Sequence, residues 1–224
     1  MAIRQRLGRT KDAMKHTSIT LLTLTAAAGF AQSAPAASAF TVTGNVAVTS
    51  DYVWRGNSQS AGHTAIQGGF DLSKTPISGL TAGVWSSSLS AGNKIDLYAN
   101  YGFKLAAVDV SVGYIHYNYS ATAAGFANFS EANVAASYAG LTLKASKGVA
   151  GAASDYYYEA NYSYDVAQIK GLNIGLHYGD DRASNKSDYG IALNYPIFGL
   201  DASVSYTDIE QGNAITAFTV KKSF

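Results

Sequence analysis

Cysteine is absent from the 224 residues of the chain. That excludes a disulfide-stapled scaffold and any thiol chemistry. Proline is scarce, confined to Pro35, Pro76 and Pro196, so extended segments run with few interruptions. Long apolar runs are missing as well. The uncharged stretch from Ile19 to Phe30 falls short of the roughly 20 residues a membrane-spanning helix needs. Neither sign of charge dominates, with 16 bases against 15 acids, and no basic patch points to nucleic acid as a partner. Catalytic and cofactor signatures are equally lacking: no G-x-S-x-G, no metal-spaced His and carboxylate cluster and no phosphate loop occurs. No cofactor, catalytic residue or metal ligand is therefore expected.

The near-neutral total hides two segments of different character. Arg4, Arg6, Arg9, Lys11 and Lys15 precede the apolar run, and Ala37-Ser38-Ala39 follows it with the small residues a signal peptidase requires. Residues 1–39 read as a cleaved secretory signal peptide, and Met14-Lys15 would itself make an ordinary start, so the true initiator is expected at Met14. These five bases and Asp12 leave with the leader, so 16 bases and 15 acids become 11 and 14 in residues 40–224. The remaining part, about 185 residues, suits one domain.

That part is rich in Tyr, Gly, Ala, Ser and Asn, and its apolar residues are dispersed with a period of two. Val42, Gly44, Val46, Val48, Tyr52 and Trp54 alternate with Thr41, Thr43, Asn45, Thr49, Asp51 and Arg55. Ile95, Leu97, Ala99, Tyr101, Phe103 and Leu105 oppose Asp96, Tyr98, Asn100 and Lys104, and Tyr156, Tyr158, Tyr162 and Tyr164 oppose Glu159, Asn161 and Asp165. One apolar and one polar face per segment is the mark of strands, since helical spacing would mix them.

About twelve such segments are expected, near 41–55, 65–74, 79–89, 93–105, 108–119, 127–138, 141–148, 154–166, 170–179, 187–195, 199–208 and 213–224. Tight connections (106–107, 139–140) alternate with looser ones (120–126, 180–186), as periplasmic turns alternate with surface loops. Pro76 and Pro196 fall in the tight set, where a missing N–H does the ladder no harm. Strands of about ten residues with an apolar face predict an all-β fold, a closed antiparallel transmembrane barrel of about 12 strands, because closure pairs every backbone group in lipid. Tyr52, Trp54, Tyr114, Tyr117, Tyr119, Tyr156, Tyr178, Tyr189 and Tyr206 lie toward strand ends, where aromatic girdles meet headgroups. A soluble sandwich or lipocalin-like barrel would turn the same apolar faces inward.

SDYVWRGNSQS (Ser50 to Ser60), AIQGGFD (Ala65 to Asp71), AGVWSSS (Ala82 to Ser88), IDLYANYGF (Ile95 to Phe103) and VGYIHYNY (Val112 to Tyr119), in this order, resemble the TorF-type porin family of proteobacteria. The resemblance is densest in the first half of the chain and implies an outer-membrane, porin-like barrel. The terminal Phe224, after the alternating Phe218, Val220 and Lys222, resembles the signal by which such barrels are recognised for assembly. Lys222 interrupts that outward series and is expected to snorkel to the interface. Lipids, lipopolysaccharide, the barrel-assembly machinery and small hydrophilic solutes are the implied partners.

Polar residues expected to face the lumen include Asp51, Arg55, Asp71, Asp96, Asn100, Lys104, Glu131, Asn133, Lys144, Glu159 and Asn161. Asp71, Glu131, Lys144 and Glu159 are expected near strand midpoints, where a ring of charge would set ion preference. Arg55, beside Gly56 at the exit of the first strand, is the candidate loop-facing functional residue. The surface loops look too short for an infolded constriction loop. The expected function is passive diffusion of small hydrophilic solutes or ions. The alternatives are a barrel whose own side chains fill it, or a lipid-modifying enzyme using His63, His116 or His177 with a serine.

Overall fold

The structure is a computed structural model, and it describes residues 40–120, 126–151 and 155–224. The expected signal peptide over 1–39, with its alternative start at Met14, lies outside the described residues. Fourteen strands follow in chain order among the described residues: β1 (Thr41–Thr49), β2 (Val53–Trp54), β3 (Asn57–Ser58), β4 (Ala65–Ser73), β5 (Leu80–Ser88), β6 (Asn93–Leu105), β7 (Val108–Tyr119), β8 (Phe129–Tyr138), β9 (Leu141–Gly151), β10 (Tyr156–Asp165), β11 (Asn173–Asp181), β12 (Lys186–Ile197), β13 (Leu200–Ile209) and β14 (Ile215–Ser223). All but β2 and β3 form one closed antiparallel barrel in which each strand pairs with the next and β14 returns to β1. That is the twelve-strand closed barrel the periodicity predicts.

Closure is made by pairs such as Asn45 with Ser223 and Val48 with Val220. Phe224 extends the seam beyond the strand, its N–H donating to the Gly44 carbonyl at 2.9 Å and its carbonyl accepting from the Gly44 N–H at 2.8 Å. Its ring meets Phe70 edge-on, with centroids 6.4 Å apart. A Cβ on Gly44 would stand 2.6 Å from that ring, so glycine is what lets the terminal aromatic lie flat on the seam.

Phe40, where the described residues begin, and Phe224 lie at one rim, here the terminal rim, with the connections 74–79, 106–107, 139–140, 166–172 and 198–199. The opposite rim, here the loop rim, carries the connections that follow β1, β5, β7, β9, β11 and β13. Apolar side chains face out: Val46, Ile66, Leu97, Leu143, Leu176 and Ile191 are all exposed, whereas Asn45, Lys94, Asp96, Glu131, Asn161 and Asp188 are buried. A soluble barrel would show the reverse. Tyr101, Phe103, Tyr138, Tyr164 and Tyr195 ring the outside near the terminal rim, and Tyr156, Tyr178, Tyr189 and Tyr206 lie outside toward the loop rim. Lys222 behaves as its position demands: its Nζ reaches the Gly199 carbonyl at 2.8 Å, so the charge leaves the apolar belt for a turn.

The first expected strand requires correction. It does not run from 41 to 55 but stops at Thr49. The chain then turns in and makes a separate hairpin, pairing Val53 with Ser58 and Trp54 with Asn57. Arg55 and Gly56 are the two turn residues, with φ of 48° and 74°. Positive φ at both central positions is the type I′ arrangement, which matches the right-handed twist of the flanking strands.

Candidate functional site

The connection from β1 to β4 folds into the mouth of the barrel at the loop rim. An infolded loop is therefore present where loop length alone argued against one. Asp51 fastens its base: Oδ1 accepts from the Ser58 hydroxyl at 2.6 Å and the Ser60 hydroxyl at 2.7 Å. The Ser60 oxygen also accepts from the Tyr52 N–H at 2.9 Å, and the Gln59 N–H donates to the Tyr52 carbonyl at 2.6 Å. Asp51 is thus committed to the loop and does not line the wall.

From this base the hairpin crosses the mouth. Tyr52 packs edge-on against Trp85 of β5, centroids 5.4 Å apart. Trp54 meets Tyr117 of β7 at 5.8 Å and Phe129 of β8 at 6.1 Å. At the tip, a Cβ on Gly56 would stand 2.7 Å from Ile209 of β13 and 2.8 Å from Asp188 of β12. The tip therefore abuts β12 and β13, three and two strands round the ring from β1, and it has no room for a side chain.

Two cations hold it there. The Arg55 guanidinium forks onto Glu131 of β8, with Nη1 to Oε1 and Nη2 to Oε2 both at 2.8 Å. Its central carbon lies 4.4 Å from the ring centroid of Trp54 and 4.0 Å from that of Tyr157 of β10. Glu131 is held in turn by the Tyr117 hydroxyl at 3.1 Å. Lys94 of β6 is 1% exposed in its side chain and pairs with Asp96 at 3.1 Å. It donates to the Tyr52 hydroxyl at 3.0 Å, and the rings of Tyr52, Trp54, Trp85, Tyr117 and Tyr119 stand 4.6 to 5.7 Å from its nitrogen. A desolvated cation against an aromatic face is stabilised by about 2 kcal/mol, and removing one member of a buried ion pair costs about 3 to 5 kcal/mol.

Below the hairpin a second polar group faces inward. The Tyr157 hydroxyl donates to Asp188 Oδ2 at 2.9 Å, and His177 joins Asp188 Oδ1 at 2.9 Å and Asn161 Oδ1 at 2.7 Å. Gly179 makes the space for it: a Cβ there would come within 2.0 Å of the Tyr157 hydroxyl. Farther toward the terminal rim the inward side chains are smaller. Asn100 and Asn133 crowd over Gly113, and Asn173 donates to Ser163 and Asp165 at 2.9 and 2.7 Å.

The residues expected at the lumen separate into groups. Arg55 and Glu131 meet, although Glu131 sits near the loop rim, third in β8, rather than at a strand midpoint. Lys144 and Glu159 are register partners across β9 and β10 and pair at 3.0 Å. Asp71 stands apart and accepts a hydrogen bond from Tyr98. Lys104 pairs with Asp109 at the terminal rim, both well exposed. Lys94, Tyr157 and Asp188 were absent from the sequence candidates, and His177 was named only for the enzyme alternative. Tyr52, Trp54, Tyr117 and Tyr119 point inward and do not belong to the outer girdle. Parity could have placed Tyr157, which shares a face with Glu159 and Asn161, and Lys94, which shares one with Asp96.

Of the histidines, His63 follows the hairpin in the loop, His177 faces the lumen, and His116 meets Ser130 at 2.9 Å on the wall. That serine is 2% exposed, which denies it to a lipid carbonyl. Among the described residues no carboxylate or amide hydrogen-bonds the other ring nitrogen of His116, so the pair lacks the group that would orient a general base.

The chain belongs to the family described as "Bacterial protein of unknown function (Gcw_chp)", which matches residues 33–223. No curated protein sequence matches it. Among solved structures it is similar to the KdgM porin, with a TM-score of 0.57 and 11% identity over 82% of this chain and 98% of that one. It is similar also to the KdgM porin in complex with disordered oligogalacturonate, at 0.55 and 12% over 82% and 98%. A chain from work on in-meso crystallization of membrane proteins matches at 0.59 and 12% over 81% and 83%. At these identities the shared property is the fold, a porin-type barrel.

Proposed function

We propose that the protein is an outer-membrane diffusion channel for small hydrophilic solutes or ions, with the inward hairpin at its mouth as the barrier to passage. The observation that carries this reading is the polarity of the two faces: an exposed apolar belt outside and paired charges and amides inside. The order of motifs that resembles TorF-type porins and the fold shared with the KdgM porin support it. In this reading residues 1–39 direct export, the terminal rim faces the periplasm, and Phe224 serves barrel assembly. Asp71, Asn100, Lys144 and Glu159 line the path, while Arg55 and Glu131 hold the barrier. Asp51 anchors the hairpin that carries Arg55.

The test is stepwise conductance in planar bilayers. A chain in which a short Gly-Ser link replaces residues 52–60 is expected to give discrete current steps, and Lys144→Gln in that background is expected to increase cation preference. Silent bilayers after repeated insertion of the shortened chain would overturn the channel reading.

A further inference from the structure

The Arg55 guanidinium occupies a site whose other components belong to the barrel wall. Glu131 contributes both carboxylate oxygens to it at 2.8 Å. Tyr117 fixes that carboxylate by a 3.1 Å hydrogen bond, and the face of Tyr157 lies 4.0 Å from the guanidinium carbon. These three side chains come from β7, β8 and β10, and none of them moves with the hairpin. Glu131 is almost wholly buried, with 4% of its side chain exposed. With Arg55 withdrawn, that carboxylate stands at the mouth without its partner, an anionic acceptor open to another cation. A carboxylate presented edge-on beside a π face fits a planar fork of N–H donors better than a compact ammonium.

Arg55 reaches this site under backbone strain. Its φ of 48° is a left-handed conformation that costs an ordinary side chain about 1 to 2 kcal/mol, and its carbonyl accepts a hydrogen bond from the Asn57 side-chain amide at 2.8 Å. A solute bearing the same group would gain the wall contacts without that strain.

We propose that Glu131, Tyr117 and Tyr157 form a binding site for guanidinium-bearing solutes, and that Arg55 is its built-in occupant, so that such a solute competes the hairpin out of the mouth. The consequence for permeation rests on the channel reading, but the binding itself does not. Arg55 lowers the apparent affinity of the site in proportion to the time it spends there, as any internal competitor does.

The experiment uses the full barrel in detergent micelles, titrated with methylguanidinium chloride while tryptophan emission is followed from Trp54 and Trp85. Methylammonium and sodium chloride at equal ionic strength are the controls. Arg55→Ala is expected to bind methylguanidinium about tenfold more tightly than the unaltered chain, and adding Glu131→Gln is expected to abolish binding. In the unaltered chain methylguanidinium alone should give a saturable red shift as Trp54 leaves the mouth. Arg55→Lys, which keeps a cation on the hairpin but not the fork, should bind with intermediate affinity and covers the case in which Arg55→Ala does not fold. Equal responses to all three salts, or equal affinity with and without Glu131, would overturn the proposal. Because no current is read, a barrel that conducts but fails this titration discards the site and leaves the channel standing, and a silent barrel that passes it does the opposite.

Discussion

The two halves of the lumen are built on one wall and filled in different ways. Toward the loop rim the inward positions carry Lys94, Tyr117, Glu131, Tyr157 and Asp188, and the hairpin packs among them until Trp85, Lys94 and Tyr157 are buried. Toward the terminal rim the same parity delivers Asn100, Asn133, Ser137, Thr142 and Ser203, most of them half-buried. A wall of side chains this short cannot close a twelve-strand ring unaided. Strand number thus sets the width of the barrel, but the size of the inward residues, together with one loop, decides where it is shut.

Substitutions at the two halves should therefore differ in kind. Glu131→Ala leaves the Arg55 charge in the mouth with no carboxylate and is expected to destabilise the closed hairpin by about 3 to 5 kcal/mol. Hydrogen exchange at the Tyr52 and Gln59 amides, which the closed hairpin protects, would register it. Gly179→Ala sets a Cβ where the Tyr157 hydroxyl stands and should drive that ring toward Arg55, at a cost of about 1 to 3 kcal/mol, read from the same amides. Tyr157→Phe keeps the ring and leaves Asp188 with His177 as its partner, so about 1 kcal/mol is expected. Lys104→Gln at the terminal rim breaks an exposed pair and should change thermal stability by no more than about 0.5 kcal/mol. If Lys104→Gln proved as disruptive as Glu131→Ala, the contrast between the halves would not hold.

The wall was legible in the sequence because a half-buried strand writes its environment every second residue, from Ile95 to Leu105 and from Tyr156 to Tyr164. The hairpin was not, because the alternation of Tyr52 and Trp54 continues that of Val46 and Val48, and period two cannot tell a strand that stays in the sheet from one that leaves it. Asp51 and Arg-Gly at 55–56 were the only local cues, a side chain able to fasten a turn and a two-residue turn with glycine second. Arg55 and Glu131 were both chosen as candidates, but 76 positions separate them, and only the closed ring brings them to one mouth. The inward aromatics misled for a related reason: Tyr117 and Tyr119 sit at a strand end as girdle residues do, and their odd parity, shared with Asp109 and Ser111, was the signal that assigned them to the inside.

The most direct test of the hairpin as the barrier is unitary conductance in planar bilayers, comparing the unaltered chain with the chain lacking residues 52–60 at matched insertion. Rare or unresolved steps are expected from the unaltered chain, and regular steps about an order of magnitude larger from the shortened one. Equal unitary conductance from the two chains would contradict it.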